Sequence, residues 1–153
     1  MNFEDLIAPD RIGCQVQAGG KKRSLEAISE LISHGHPSLT GPEVFERLLA
    51  RERLGSTGMG HGVAIPHGRC PNIQAIRGAF IQLENPIDFD AIDNEPVDLL
   101  FALLVPEESD EQHIHVLGQL AGLFRNNAIR ESLRTADDAQ SIYDILMQAW
   151  LAY

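Results

Sequence analysis

Two cysteines, one tryptophan and an aromatic share of 6% are all that the 153 residues carry of these types. Cys14 and Cys70 stand far apart, in neither a CxxC pair nor a Cys/His ligand spacing. A disulfide framework and a zinc ribbon are therefore not indicated, and two reduced, structural thiols are expected. Basic charge is short as well: 12 Lys+Arg against 22 Asp+Glu leave a net charge of −10. Duplex affinity comes mainly from Lys and Arg neutralising phosphates, so no nucleic-acid partner is expected, and an anionic membrane surface is disfavoured for the same reason. Long hydrophobic runs are missing. The longest, Leu99 to Val105, is too short to span a bilayer, and Glu4 and Asp5 stand where a signal peptide needs a basic region. These absences predict a cytoplasmic protein without membrane insertion. No repeat, Pro- or Ser-rich linker or charge block marks a boundary, so a single domain over residues 1–153 is expected.

What is present alternates between helix and strand patterns. Leu25, Ile28, Leu31 and Ile32 place one face on a helix from about Ser24 to Ser33, stopped before Gly35 and Pro37. Thr40-Gly-Pro-Glu43 has capping-box spacing and opens a second helix, with Val44, Phe45, Leu48 and Leu49 on its stripe, that ends at Gly55. The run Gly55-Ser-Thr-Gly58-Met-Gly60-His-Gly62 predicts a loop, because each glycine gives up side-chain packing and adds backbone entropy to be lost. Val63-Ala-Ile65 reads as a short strand, with Pro66 keeping Ile65 extended and His67 just past its end. Ala79 to Leu83 and Val97 to Val105 read as further strands, the second buried on both faces. Ser109-Asp-Glu-Gln112 is another capping box, opening a helix through about Arg125, and shorter helical patterns cover Asn127 to Arg134 and Ala139 to Leu151. Interleaved strands and helices predict an α/β sandwich with helices on both faces of a partly parallel sheet.

The six histidines carry the functional signal. At about 100° per residue, His113 falls within the arc of Leu117, Leu120, Ala121 and Phe124, whereas His115 faces away. Taken alone, His113 is better explained as a hydrogen-bonded core histidine. Its place in the first turn of a helix after a strand, and that of His67 after another strand, put both at carboxyl ends of strands, where open α/β sheets bind ligands. They converge if those strands run parallel. A Gly-rich run by itself is more often a flexible surface loop, but before His67 it also lets backbone N–H groups approach an anion. A neutral imidazole can attack phosphorus, and loop amides, a second histidine and an arginine supply donors to the phosphoryl oxygens without a metal. Competing motifs fail: GxGxxG is incomplete at Val63, and GxxxxGK[ST], HExxH and GxSxG are absent. His113 and His115 at i, i+2 on a helix cannot ligate one metal. Asp88, Asp90, Asp93 and Asp98 cluster around one connection without a pairing pattern that assigns them a role.

The stretch from Arg51 through Gly55-Ser-Thr-Gly58-Met-Gly60-His-Gly62-Val-Ala-Ile-Pro-His67-Gly resembles the active-histidine signature of the mannitol/fructose-type enzyme IIA domains of the bacterial phosphoenolpyruvate-dependent phosphotransferase system. Pro86 to Pro106, followed by His113, is most similar to the nitrogen-regulatory branch of that family, and the resemblance covers about Leu25 to Tyr143. It implies a mixed, roughly five-stranded sheet flanked by helices. It further implies that His67 is a phosphoryl acceptor, forming a tele-phosphohistidine, that His113 stabilises the phosphoryl group, and that Arg51 is the phosphate-side cation. The helical wheel does not decide between Arg51 and Arg53, so Arg51 rests on the resemblance. Ser56, Thr57, Gly58, Gly60 and Gly62 form the expected phosphate-facing loop, with no metal and no cofactor. The implied donor is an HPr-like phosphocarrier, and the implied role is regulation of targets such as potassium-transport proteins or sensor kinases. Two other readings stand beside it: a sugar-specific IIA passing phosphate to a IIB cysteine, and an anion-binding module whose His67 never carries phosphate.

Overall fold

The computed structural model describes residues 1–109 and 111–153. In chain order the elements are α1 (Phe3–Leu6), a 3-10 turn (Pro9–Arg11), β1 (Ile12–Val16), α2 (Lys21–Ser33), α3 (Gly41–Glu52), β2 (Gly58–Gly60), β3 (Val63–Ala64), β4 (His67–Cys70), β5 (Arg77–Ile87), β6 (Val97–Pro106), α4 (Glu111–Phe124), α5 (Asn127–Thr135) and α6 (Ala139–Leu151). The expected α/β class with helices on both faces is what the chain forms, with six strands in place of about five.

The sheet runs β1-β5-β6-β3-β2, and β4 also pairs with β6. β1 is parallel to β5, β5 antiparallel to β6, and β3 and β4 are both parallel to β6. The two short strands form one line: Val63 pairs with Leu99 and His67 with Leu103, with Ile65-Pro66 interrupting the ladder between them. Pro66 has no N–H to donate but still accepts from Leu103 N at 2.9 Å, so the line holds its register across the break.

β6 is the centre of the molecule. Its alternate residues Leu99, Phe101 and Leu103 join one core with Phe80, Leu120 and Phe124, whereas Leu100, Ala102 and Leu104 join the other with Leu25, Ile28 and Leu48. Residues of period 2 point to opposite faces, so an almost continuously apolar strand buries both. α4 and α6 lie on the first side, α2 and α3 on the second. No helix among the described residues is long and apolar enough to cross a membrane.

Four local expectations are corrected. Residues 58–60 are a strand, not loop: Gly58 pairs with Ala64, and a Cβ on Gly58 would stand 2.8 Å from the Ala91 Cβ, so glycine here serves close approach rather than flexibility. His67 opens β4 instead of lying past a strand end. α2 starts at Lys21, one turn before Ser24. β1 is an element that no expectation covered: it carries no readable alternation because Gln15 adopts φ 51° and the register with β5 shifts between Gly13 and Val16. Thr40 does cap α3, accepting from Glu43 N at 3.3 Å, but the Glu43 carboxylate turns to Asn72 at 2.6 Å and leaves the box half made. The predicted capping box from Ser109 to Gln112 includes Asp110, which lies outside the described residues.

Candidate functional site

Three layers meet at the carboxyl end of β6. The sheet supplies His67 at the start of β4, α4 supplies His113 in its first turn, and α3 supplies Arg51 and Glu52 in its last. The parallel pairing of β3 with β6 meets the condition under which the two histidines converge. Their ring centroids stand 5.5 Å apart with the planes inclined at 59°.

The His67 ring is set by its backbone. Nδ1 lies 3.0 Å from the Ile65 carbonyl oxygen. A carbonyl only accepts, so Nδ1 holds the hydrogen and Nε2 keeps its lone pair. Burial pushes the His67 pKa down; the Ile65 bond opposes this, the charges of Arg51 and Arg69 add to it, and Glu52 pulls the other way. The result is a neutral imidazole at pH 7 with its Nε2 lone pair free.

His113 is buried at 9% exposure, and neither ring nitrogen has a hydrogen-bond partner among the described residues. Burial lowers its pKa, and the neighbouring His67 and Arg69 lower it further. A core histidine would be hydrogen-bonded, since a buried unpaired donor or acceptor costs ~1–3 kcal/mol. This geometry favours the site reading of His113 over the core reading. His115 is exposed, as the wheel predicted.

Arg51 donates from Nη1 to the Gly55 carbonyl at 2.9 Å, which ties the guanidinium to the turn after α3 while its charge reaches His67. Arg53, the C-cap of α3, is exposed and is not among the charges acting on His67.

The expected phosphate-facing loop divides. Thr57 and Ser56 lie on the His67 side, because Thr57 O accepts from Ile65 N at 3.1 Å. Three of their donors are committed to the protein: the Ser56 hydroxyl donates to Phe89 O at 2.7 Å, and both the Thr57 N–H and its hydroxyl bond the Glu52 carboxylate. Gly60 and Gly62 are not brought to His67. They turn the β2–β3 hairpin at the opposite end of the line, where Gly60 pairs with Val63, about 13 Å from His67 at a strand rise of about 3.3 Å per residue. There Arg134 from α5 donates to His61 O at 2.6 Å and pairs with Asp98 at 2.9 Å, so these two glycines shape a clamped hairpin. Asp93 accepts from His61 N at 3.0 Å, which gives the acidic cluster a structural task at the same hairpin.

Two residues near His67 escaped sequence reasoning. Glu52 falls four residues after Leu48 and eight after Val44, an acid on an apolar stripe, which was a readable signal. Arg69 sits two residues after His67, on the same face of β4 by period 2, and donates to the carbonyls of Glu107 at 3.0 Å and Ser109, in the connection that leads to His113.

Residues 5–149 match the family described as the phosphoenolpyruvate-dependent sugar phosphotransferase system, EIIA 2. The chain is 43% identical over 147 residues to the nitrogen regulatory protein of Pseudomonas aeruginosa, covering 96% of each. It superposes on the crystal structure of the nitrogen regulatory protein IIA-Ntr from Neisseria meningitidis with a TM-score of 0.87 and 45% identity, over 93% of this chain and 97% of that one. The mannitol IIA crystal structure from Escherichia coli, 20% identical, shares the fold with a TM-score of 0.77 over 92% and 98% of the two chains.

Proposed function

This chain belongs to the EIIA 2 family of the phosphoenolpyruvate-dependent sugar phosphotransferase system, and on that premise we propose that His67 accepts a phosphoryl group from an HPr-like phosphocarrier and that its phosphorylation state controls protein targets. The observation that carries the acceptor role is the Nδ1 bond to Ile65 O, which leaves Nε2 as the free nucleophile. In the step, the Nε2 lone pair forms the bond to phosphorus while the carrier's phosphorus–nitrogen bond breaks and its electron pair returns to the carrier's nitrogen. The His67 ring gains positive character, and the Ile65 carbonyl already faces the Nδ1–H that bears it. His113, buried with unpartnered nitrogens 5.5 Å away between ring centres, offers a donor to the phosphoryl oxygens, and Arg51 offers charge. The product is a tele-phosphohistidine.

The regulatory role is supported by the relatives named nitrogen regulatory protein, which match along nearly the whole chain. Targets of the class of potassium-transport proteins or sensor kinases fit a protein that reports its phosphorylation state by charge. The test is incubation with phosphoenolpyruvate and both upstream carriers, followed by peptide mass spectrometry. An acid-labile, base-stable adduct of about 80 Da, one added HPO3 group, is expected on His67. An unmodified His67 alongside a phosphorylated carrier rejects the proposal.

A further inference from the structure

The Glu52 carboxylate is 98% out of solvent in a chain whose other acids mostly face water: its side chain is 2% exposed. It accepts from Thr57 N at 3.1 and 3.3 Å and from the Thr57 hydroxyl, and Lys21 Nζ lies 2.9 Å from its Oε2. A buried carboxylate is costly unless its lone pairs are met, and here Thr57 and Lys21 meet them. The bonds continue beyond Thr57. Its carbonyl accepts from Ile65 N at 3.1 Å, and the Ile65 carbonyl accepts from His67 Nδ1 at 3.0 Å.

Beside the Thr57 hydroxyl, the links between Glu52 and His67 are backbone groups of Thr57 and Ile65, so displacing Thr57 moves the acceptor that decides which His67 nitrogen holds the proton. We propose that Glu52 is a positioning residue for His67: through Thr57 and Ile65 it holds the imidazole in the tautomer that leaves Nε2 unprotonated. The inference rests on the reading of His67 as the phosphoryl acceptor for its functional consequence, but not for its structural content. Lys21, a quarter exposed at the start of α2, holds the carboxylate in place, and a second contact to Asp90 at 3.5 Å holds Lys21 itself.

A free imidazole side chain carries its proton mainly on Nε2, so losing the anchor has a defined spectroscopic sign. Nitrogen-15 and proton spectra of the full-length labelled protein read the tautomer at His67 directly, at a pH where the ring is neutral. Wild type is expected to show the proton on Nδ1. Glu52→Ala is expected to populate the Nε2–H form and to slow phosphoryl transfer from a phosphorylated HPr-type carrier by about tenfold to a hundredfold, the scale of a misplaced reacting group. Glu52→Gln restores an acceptor for Thr57 and is expected to return the tautomer close to wild type. Should Glu52→Ala not fold, Glu52→Asp keeps the charge, shortens the reach to Thr57 and is expected to shift the tautomer in the same direction.

A wild-type tautomer in folded Glu52→Ala or Glu52→Asp overturns the proposal. So does a shift in Glu52→Gln as large as in Glu52→Ala, because the acceptor is present in one and absent in the other. A wild-type protein that takes no phosphoryl group from the carrier overturns the acceptor reading instead, and leaves the tautomer measurement to decide the role of Glu52.

Discussion

His67 and His113 face each other from the sheet and from α4 with ring centroids 5.5 Å apart, one nitrogen of His67 held by a carbonyl and both nitrogens of His113 unclaimed by the described residues. The asymmetry assigns different work to two residues of one type. His67 is oriented from within the protein, as the proposed nucleophile must be. His113 retains its hydrogen-bonding capacity at a cost to the fold, and that capacity is available to oxygens arriving at Nε2 of His67.

The first prediction separates these roles by kinetics and stability together. His67→Ala abolishes phosphoryl acceptance. His113→Leu slows it by roughly 10²–10³, the cost of losing one preorganised donor in a site shielded from water. The same substitution replaces a buried unpaired polar ring with an apolar side chain and is expected to leave stability unchanged or raise it by about 1 kcal/mol. Stopped transfer assays and thermal melts on one preparation check both. A His113→Leu protein that transfers at the wild-type rate returns His113 to the core.

A second prediction concerns pH. Burial lowers the folded pKa of both His67 and His113 below the ordinary value of about 6.5. Both rings therefore stay neutral in the folded protein as pH falls through 6.5, while the unfolded chain takes up protons there. The unfolded state binds more protons in that window, so stability falls as pH drops from about 6.5 toward the lowered folded values and is fully present above it. Imidazole titration by NMR should show both rings titrating below a reference histidine. Melts of His67→Gln/His113→Gln should depend less on pH than wild type between about 7 and 5.

How much of this was legible in the sequence depends on the kind of signal. Thr40, the stripe of Val44 and Leu48, and the run Val97 to Val105 announce their elements because capping and periodicity are local. His67 and His113 were legible as partners because strand ends and helix faces are also local features, and parallel pairing then joins them. The glycine run misled because composition does not distinguish a flexible loop from an edge strand whose glycines admit Ala91; that contact lies 33 residues away. Ser56 and Thr57 belong to the expected phosphate-facing loop, but their hydroxyls go to Phe89 and Glu52, partners no spacing rule reveals.

A third prediction follows from close packing of α3 on β4. A Cβ on Gly68 would stand 2.7 Å from the Arg47 carbonyl oxygen and 2.9 Å from its carbon, both backbone atoms that cannot rotate aside. Gly68→Ala must push α3 outward, and α3 carries Arg51 and Glu52 beside His67. Destabilisation of about 1–3 kcal/mol is expected from overpacking, with slowed phosphoryl acceptance in the fraction that remains folded. Gly118→Ala is the control: its Cβ meets nothing within 4 Å, and on an α4 helix alanine is the better former. Equal melting behaviour of the two variants would contradict the packing argument.

The last prediction turns on charge at the open side of the site. Leu54, just after α3, is 83% exposed, and Ile114, next to His113 in α4, is 70% exposed, so each of the two segments that bring Arg51 and His113 to the site carries an exposed apolar side chain. A phosphoryl group on His67 adds roughly −1.5 to −2 charges to a molecule already at −10. A target that covers Leu54 and Ile114 with apolar surface must then desolvate a dianion, and an acidic target meets repulsion as well. A basic carrier is attracted in both states, because it meets the same acidic surface. The unphosphorylated protein is therefore the form expected to hold regulatory targets. His67→Glu, with one charge and a different reach, should weaken those complexes partly, whereas His67→Ala should hold them as wild type does. Pull-down from cell extract with the three proteins as baits, followed by binding measurements on each recovered target, checks this order. Equal affinity of all three for every target would remove charge at His67 as the switch, and a IIB-type protein as the main partner would redirect the function to sugar transport.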